Sequence, residues 1–137
     1  MAMTHLLDTS ALLAHYLAEP GATGVQALFE DTAVMAGTSI LALFEFDLRL
    51  HQLGIEVATR AAELHRYRAL LSEVVSVDEA IRSEAVRLRI SATARASAMD
   101  TLIAATASVR GATLVHRDPH FTAIPASMLK QEMLPSK

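Results

Sequence analysis

The sequence contains no cysteine and no tryptophan, and only 4% of its residues are aromatic. The absence of cysteine excludes disulfides, thiolate chemistry and cysteine-ligated zinc sites. The scarcity of aromatic residues leaves few side chains that can stack on nucleic-acid bases. Positive charge is not in excess either, because the net charge is −3. Binding to RNA or DNA therefore requires a local basic patch or a bound metal ion.

Targeting and membrane segments are also missing from the sequence. A signal peptide begins with basic residues followed by an apolar core, and the N-terminus has neither feature. The uncharged run at residues 32–44 is shorter than the roughly 20 residues that cross a bilayer. We therefore expect a soluble, cytoplasmic protein that does not enter a membrane.

The chain of 137 residues, 52% of them hydrophobic, is the size of one domain with a substantial core of small and aliphatic side chains. Apolar segments typical of strands alternate with segments typical of helices. Strands are predicted at 5–7, 34–36, 74–77 and 113–115, and helices at 10–17, 23–30, 37–53, 55–71, 78–89 and 97–110, with capping boxes at 76–79 and 97–100. The alternation predicts one α/β domain over residues 1–137, in which helices surround a short parallel sheet.

Two aspartates follow predicted strands at the positions where functional sites form in parallel sheets. Asp8 comes directly after the first strand, and Asp118 lies in "LVHRDPHF" after the last. The carboxyl ends of parallel strands meet at one edge, so both acids are expected there. Each aspartate also fits a simpler role as a helix cap, and Asp118 followed by proline has the sequence of an ordinary helix start.

Two further acids lie on helix faces that are predicted to point inward. Glu45 shares a face with Leu41 and Leu48, beside Phe44, and this apolar stripe is predicted to pack against the sheet. A buried carboxylate is costly unless it binds a metal ion or pairs with an arginine, and we favour the metal site. Asp100 shares its helix face with small apolar residues, although it also fits the role of a capping-box acid.

Four carboxylates cannot share one pocket without neutralisation, because each raises the pKa of the others. Mg²⁺ and Mn²⁺ prefer oxygen ligands, and such sites activate water for reactions at phosphate. A phosphohydrolase with Asp8 as nucleophile is an alternative, but Ser10 occupies the position where that chemistry needs a second acid. A binding module without catalysis is a further alternative, and the presence of all four acids argues against it.

The segments that carry these acids resemble the PIN domain, and most closely the VapC toxins of bacterial toxin–antitoxin systems. They are "LLDTSALL" around Asp8, "SILALFEFDL" with Glu45, "AMDTLIAATA" with Asp100 and "GATLVHRDPHF" with Asp118. The resemblance covers nearly the whole chain. It implies a Mg²⁺- or Mn²⁺-dependent endoribonuclease that a VapB-type antitoxin inhibits and that usually forms a homodimer.

The resemblance also implies roles for individual residues. The four acids match the catalytic quartet of the family; Asp8, Asp100 and Asp118 are expected to bind the metal, with Glu45 and Ser10 beside it. His116 departs from the family pattern, which usually has threonine or serine before the arginine–aspartate turn. This histidine is expected either to contact metal-bound water or substrate phosphate, or to form structural hydrogen bonds. A zinc site built from His116, Asp118 and His120 is an alternative, but the surrounding carboxylates suit a hard cation better.

Several arginines precede Asp100 in the sequence and form a candidate RNA-binding patch. Arg87, Arg89 and Arg95 are the residues expected to contact the RNA backbone, with Arg82 close by. The alternative is an ordinary solvated helix face. The sequence identifies neither the RNA nor the antitoxin.

Overall fold

The computed structural model describes residues 2–137, in which five short strands and six α-helices largely alternate. The strands are β1 (His5–Leu7), β2 (Ala36–Ser39), β3 (Val74–Val75), β4 (Thr113–His116) and β5 (Gln131–Met133). The helices are α1 (Thr9–Tyr16), α2 (Ala22–Glu30), α3 (Ile40–Gln52), α4 (Val57–Leu70), α5 (Glu79–Ser91) and α6 (Ala98–Arg110), and a 3₁₀ turn spans Pro119–Ala123.

The strands form one parallel sheet in the order β3-β2-β1-β4-β5. The central strand β1 pairs with β2 on one side and with β4 on the other. The predicted α/β fold with a short parallel sheet and surrounding helices is therefore confirmed. Since β1 and β4 are neighbours, the residues that follow them lie at the same edge.

The core consists mainly of leucine, valine and alanine, as the composition predicts. Leu6, Leu7, Leu114 and Val115 of the two central strands are fully buried. The small alanines at 104, 105 and 107 on α6 are equally buried and allow that helix to pack closely. Within residues 2–137, no helix is both long enough and apolar enough to cross a membrane.

The start of the third predicted helix is wrong, because residues 37–39 belong to β2 rather than to the helix. Gly37 lies so close to the neighbouring segment that an added Cβ would stand 2.9 Å from the backbone oxygen of Glu73. Ser39 then ends the strand and caps α3, its hydroxyl accepting a hydrogen bond from the N–H of Leu41 at 3.1 Å. The glycine indicates a close backbone approach within a strand, not a helix start.

Two further expectations need correction. The helix after β3 is capped by Asp78, whose Oδ1 accepts from the N–H of Ile81 at 2.9 Å, so the predicted capping box beginning at Ser76 is wrong. Strand β5 is absent from the predicted elements because the segment 131–133 is short and mostly exposed. It nevertheless extends the sheet next to β4.

Candidate active site

Asp8 lies at the junction of β1 and α1, at the carboxyl edge of the sheet. Its backbone N–H donates to the carbonyl oxygen of Val115 in β4 at 3.1 Å. Its Oδ1 accepts hydrogen bonds from the N–H of Ala11 at 2.9 Å and from the hydroxyl of Ser10 at 2.7 Å. Asp8 therefore caps α1 and also lies at the predicted edge of the sheet.

The Asp8 carboxyl group is almost fully buried, with 4% of the residue exposed. Burial raises its pKa from 3.8 to about 7, and the charges of Asp100 and Asp118 act in the same direction. The hydrogen bonds from Ser10 and Ala11 lower the pKa and offset only part of this effect. Burial is thus the main reason that the charged form of Asp8 is disfavoured, and the two neighbouring carboxylates add to it.

The other two aspartates of the predicted site, Asp100 and Asp118, lie on α6 and at the start of the 3₁₀ turn after β4. Asp100 is half-buried in the first turn of α6, and its N–H donates to the Ser97 hydroxyl that caps the helix, at 3.0 Å. Burial raises the pKa of Asp100, and the charge of Asp118 raises it further. Asp118 caps the 3₁₀ turn, its Oδ1 accepting from the N–H and from the Nδ1 of His120, each at 2.9 Å. The pKa effects show that the three aspartates interact electrostatically.

Glu45 is a partly buried acid on α3 whose Oε1 accepts a hydrogen bond from the Thr9 hydroxyl at 2.8 Å. Since Thr9 follows Asp8 in the chain, this bond brings Glu45 to the same end of the sheet. Among the ion pairs of residues 2–137, none involves Glu45. The alternative of a buried arginine partner for Glu45 is therefore wrong for this part of the chain.

The predicted orientation of the Glu45 face is also wrong. Phe44 and Leu48 are 56% and 44% exposed, so the stripe that they form with Glu45 does not pack against the sheet. The buried face of α3 consists of Ala42, Leu43, Phe46 and Leu50. The two faces are both apolar, and helical periodicity alone does not distinguish them. Glu45 lies at the border between them.

The donor atoms of the site suit a hard divalent cation, although the carboxylates do not yet surround a common point. No three His, Asp or Glu side chains of residues 2–137 converge closely enough to hold a metal ion as they are placed. In this part of the chain, the hydrogen bonds to Asp8 and Asp118 all go to Oδ1. One oxygen of each carboxylate thus lacks a protein donor, and oxygen atoms of this kind are the ligands that Mg²⁺ and Mn²⁺ prefer.

Ser10 connects the two central strand ends. Its hydroxyl donates to Asp8 Oδ1 and accepts from the backbone N–H of Arg117 at 2.8 Å. The guanidinium of Arg117 in turn contacts Glu19 Oε1 at 2.8 Å, an ion pair whose side chains are mostly buried. Ser10 thus joins Asp8 to the turn that carries Asp118, and its place beside a metal ion stays a prediction.

Both ring nitrogens of His116 form hydrogen bonds within the protein. Its Nδ1 accepts from the backbone N–H of Asp118 at 3.1 Å, and its Nε2 lies 2.9 Å from Gln131 Oε1. Burial lowers the pKa of this histidine. Within residues 2–137, His116, Asp118 and His120 do not converge as a metal site. The two hydrogen bonds of the ring agree with the structural alternative for His116.

Sequence reasoning did not identify Thr9 and Gln131 as residues of this region. Thr9 resembles any small residue in the first turn of a helix, and only the packing of α1 beside α3 brings it to Glu45. Gln131 lies in β5, 15 residues after its partner His116, so no local spacing indicates the contact.

The candidate RNA-binding arginines do not form one patch. Arg89 and Arg95 line a cavity of about 500 Å³ between α5 and the start of α6, together with Arg82 and several apolar side chains. Arg87 lies outside this cavity, and its guanidinium contacts the Glu84 carboxylate. The cavity adjoins the first turn of the helix that carries Asp100.

Solved structures with this fold include several toxin–antitoxin proteins. A chain of VapBC2 from Rickettsia felis, crystallised with a promoter DNA fragment, superposes with a TM-score of 0.78 at 20% identity, covering 97% of this chain and all of that one. FitAcB from Neisseria gonorrhoeae gives a TM-score of 0.73 at 22% identity, covering 94% of this chain and 97% of the other.

VapC20 from Mycobacterium tuberculosis is described as a toxin that cleaves the sarcin–ricin loop. It superposes with a TM-score of 0.68 at 21% identity, covering 88% of this chain and 94% of the other. These likenesses agree with the predicted resemblance to VapC proteins. No curated protein sequence matches the chain. The sequence profile of the PIN domain, however, matches residues 5–126. Because this match covers most of the chain, the protein belongs to the PIN domain family.

Proposed function

We propose that the protein is a metal-dependent endoribonuclease, the toxin of a VapBC-type toxin–antitoxin system. The observation that carries the proposal is the acidic site, in which burial and the charges of Asp100 and Asp118 raise the pKa of Asp8 to about 7. Such a site is unfavourable in the free protein and becomes favourable when a cation binds. The likeness to VapBC proteins supports the toxin assignment.

Asp8, Asp100 and Asp118 are the residues that would hold the cation, which we take to be Mg²⁺ or Mn²⁺. When bound, a cation of this class neutralises the carboxylates, activates water and stabilises charge on the phosphate. The oxygens of Asp8 and Asp118 that have no protein donor are the atoms that would face the ion. Ser10 holds Asp8 and the Asp118 turn together.

Glu45 is the acid that we expect to accept a proton. The Thr9 hydroxyl holds Oε1, while Oε2 has no hydrogen-bond donor within residues 2–137. This oxygen would accept the proton of the attacking water as the new P–O bond forms and the P–O3′ bond breaks, and the departing O3′ would take a proton from solvent water. We therefore assign Glu45 to proton transfer and the three aspartates to metal binding.

The RNA would lie over the acidic site and extend into the cavity beside α6. Arg95 is the arginine that we expect to contact RNA phosphates, together with the remaining N–H groups of Arg89, whose Nη1 donates to the carbonyl oxygen of Ala96. Arg87 is paired with Glu84. The apolar residues of the same cavity offer a surface for a sugar or a base. The net charge of −3 means that these contacts are local.

The partner and the cellular context follow from the same proposal. We expect a VapB-type antitoxin that covers the acidic site, a homodimeric toxin and a cytoplasmic location. The stripe of Phe44 and Leu48 beside Glu45 provides an apolar surface for the antitoxin. Co-expression with the product of the reading frame adjoining its gene should restore growth to cells that the protein arrests; continued arrest would count against this partner.

Incubation of the purified protein with a panel of structured RNAs tests the activity. We expect fragments only when Mg²⁺ or Mn²⁺ is present, with 5′-phosphate ends, because water rather than the 2′-hydroxyl is the nucleophile. Asp31→Asn, a change at an exposed acid far from the site, should cleave like the wild type. Cyclic phosphate ends, or equal cleavage in EDTA, would contradict the proposal.

The same preparation separates the alternative functions. A phosphohydrolase would release phosphate from small phosphomonoesters, and a binding module would retain RNA without cutting it. The phosphohydrolase is disfavoured because Ser10 stands where that chemistry needs a second acid. Its hydroxyl is already engaged, since it donates to Asp8 and accepts from the N–H of Arg117.

A further inference from the structure

His116 is a fully buried polar residue that the proposed reaction does not use. It ends β4, and its ring packs against Phe121 with the ring centroids 4.8 Å apart. Both ring nitrogens form hydrogen bonds, to the backbone N–H of Asp118 and to the side chain of Gln131. A buried imidazole with two assigned partners restricts the positions of both partners.

These hydrogen bonds belong to a relay that runs from the N–H of Asp118 through His116 and Gln131 to the carbonyl oxygen of Phe121. The two ends of the relay fix the direction of each bond. The N–H of Asp118 can only donate, so Nδ1 of His116 carries no proton and Nε2 donates to Gln131 Oε1 at 2.9 Å. The amide nitrogen of Gln131 then donates to the carbonyl oxygen of Phe121 at 2.9 Å. That carbonyl can only accept. One ring tautomer and one amide orientation therefore satisfy the relay.

The relay begins and ends on the same turn. Asp118 supplies its first donor and Phe121 its last acceptor, while the N–H of Phe121 also donates to the carbonyl oxygen of Asp118 at 3.2 Å. Gln131 lies in β5, so the relay fastens the turn to the edge strand of the sheet. The turn cannot move as a unit without breaking at least one of these bonds.

The preceding amide of the turn is held from the opposite direction. The N–H of Arg117 donates to Ser10, whose hydroxyl donates to Asp8. Two successive backbone amides thus point to two different anchors, one at Asp8 and one at Gln131 through His116. The position of the Asp118 backbone relative to Asp8 depends on both anchors.

We propose that His116 and Gln131 are positioning residues that fix the backbone of the Asp118 turn beside Asp8, the placement from which both carboxylates would bind one divalent cation. This inference rests on the proposed function. Residues that orient metal ligands typically contribute about 10- to 100-fold to metal affinity or activity. His116 and Gln131 bond to each other and to the two ends of the Asp118 turn, so we expect both to act through that turn.

Three variants and a control test the proposal. His116→Leu removes the acceptor for the Asp118 amide, and His116→Asn restores an acceptor oxygen near the Nδ1 position. Gln131→Met breaks the relay while His116 stays in place. Thr106→Val is the control, because it also removes a buried polar group, one whose side-chain hydrogen bond within residues 2–137 goes to Leu102 of its own helix at 2.8 Å.

We expect His116→Leu to bind Mn²⁺ about 10- to 100-fold more weakly than the wild type and to cleave more slowly. His116→Asn should recover most of this loss, Gln131→Met should be intermediate, and Thr106→Val should match the wild type in Mn²⁺ affinity. Hydrogen exchange at the Asp118 amide, measured without metal, should be faster in His116→Leu and slow again in His116→Asn.

Wild-type Mn²⁺ affinity in both His116→Leu and Gln131→Met would overturn the positioning role. If the leucine variant does not fold, Gln131→Met and the ¹⁵N signals of the wild-type ring decide, and a ring proton on Nδ1 would contradict the relay. A wild-type protein that binds no Mn²⁺ would overturn the proposed function and the positioning role together. The ring tautomer would then still show whether the relay exists.

Discussion

The protonation state of Asp8 is the clearest single-residue consequence of the structure. Burial keeps this carboxyl group protonated up to about pH 7 in the folded protein, whereas its pKa in the unfolded chain is near 3.8. The unfolded chain therefore releases this proton at lower pH than the folded protein. Stability falls as the pH rises between these two values, by up to about 1.4 kcal/mol per pH unit.

Asp8→Asn should remove the part of this dependence that comes from Asp8, while the raised pKa of Asp100 leaves a smaller dependence of the same sign. In EDTA at pH 8, we expect the variant to melt at a higher temperature than the wild type, with the difference shrinking toward pH 4. Asparagine also caps helices well, so the fold should be retained. His116, whose lowered pKa destabilises the fold at acid pH, is present in both proteins and cancels in the comparison. A difference that does not change with pH would contradict the assignment.

Glu45→Gln separates catalysis from stability at a second residue. Glutamine keeps an oxygen for the Thr9 hydroxyl, so the free energy of unfolding should change by no more than about 0.5 kcal/mol. Loss of the proton acceptor should lower the cleavage rate by about 10²- to 10⁴-fold. Single-turnover cleavage and thermal melting in EDTA measure the two effects.

The matched control for Glu45→Gln lies on the same helix. Asp47 forms an ion pair with Arg60, with 2.9 Å between Oδ1 and Nε, away from the carboxylate site. Asp47→Asn should leave the cleavage rate unchanged. Strong destabilisation of Glu45→Gln with unaltered cleavage would remove Glu45 from the site.

At the scale of elements, β2 illustrates how tightly the sheet constrains its residues. A Cβ on Gly37 would meet both the side chain of Met3 and the backbone of Glu73. Gly37→Ala should therefore destabilise the protein by about 1–3 kcal/mol. Gly24→Ala on α2, where the added Cβ meets only Leu134 at 3.8 Å, should be neutral or stabilise by up to about 1 kcal/mol. Chemical denaturation of the two variants measures both effects. Equal changes in the free energy of unfolding for Gly37→Ala and Gly24→Ala would contradict this account.

The sequence predicts those elements whose local signals agree with their final contacts. The strand before Asp8 and the helix from Ser97 to Gly111 have apolar periodicity and end signals, and both are found nearly where expected. Strand β5 has no such signal, because pairing with β4 alone makes it a strand. Gly37 suggests a helix start in the sequence, whereas in the structure it allows the backbone of Glu73 to approach a strand.

The same limit applies to the candidate site. The positions of Asp8 and Asp118 follow from their places after strands, which topology brings together. The contact of Glu45 with Thr9 depends on how α1 and α3 pack, which the sequence does not show. Helix α3 has two apolar faces, and the sequence predicts burial of the face with Phe44 and Leu48, which is exposed in the structure. The relay through Gln131 depends on an edge strand that the sequence does not predict.

For the whole molecule, the acidic site predicts that metal binding and folding are linked. The three aspartates interact unfavourably only in the folded state, so a cation that binds there should stabilise the protein. At a Mn²⁺ concentration about 100 times the dissociation constant, the gain is about 2.7 kcal/mol. Asp100→Asn should reduce this gain, and Asp31→Asn should preserve it. A melting temperature that ignores millimolar Mg²⁺ and Mn²⁺ would contradict a carboxylate metal site.

The central claim is that these carboxylates form a metal-dependent RNA-cleaving centre, and one titration tests it most directly. The single-turnover cleavage rate of one RNA substrate is measured across a range of Mn²⁺ concentrations for the wild type and for Asp100→Asn. We predict a rate that is zero in EDTA and saturates with Mn²⁺ for the wild type, and no cleavage by the variant at any concentration. Cleavage by the wild type without metal, or equal rates from the two proteins, would contradict the account.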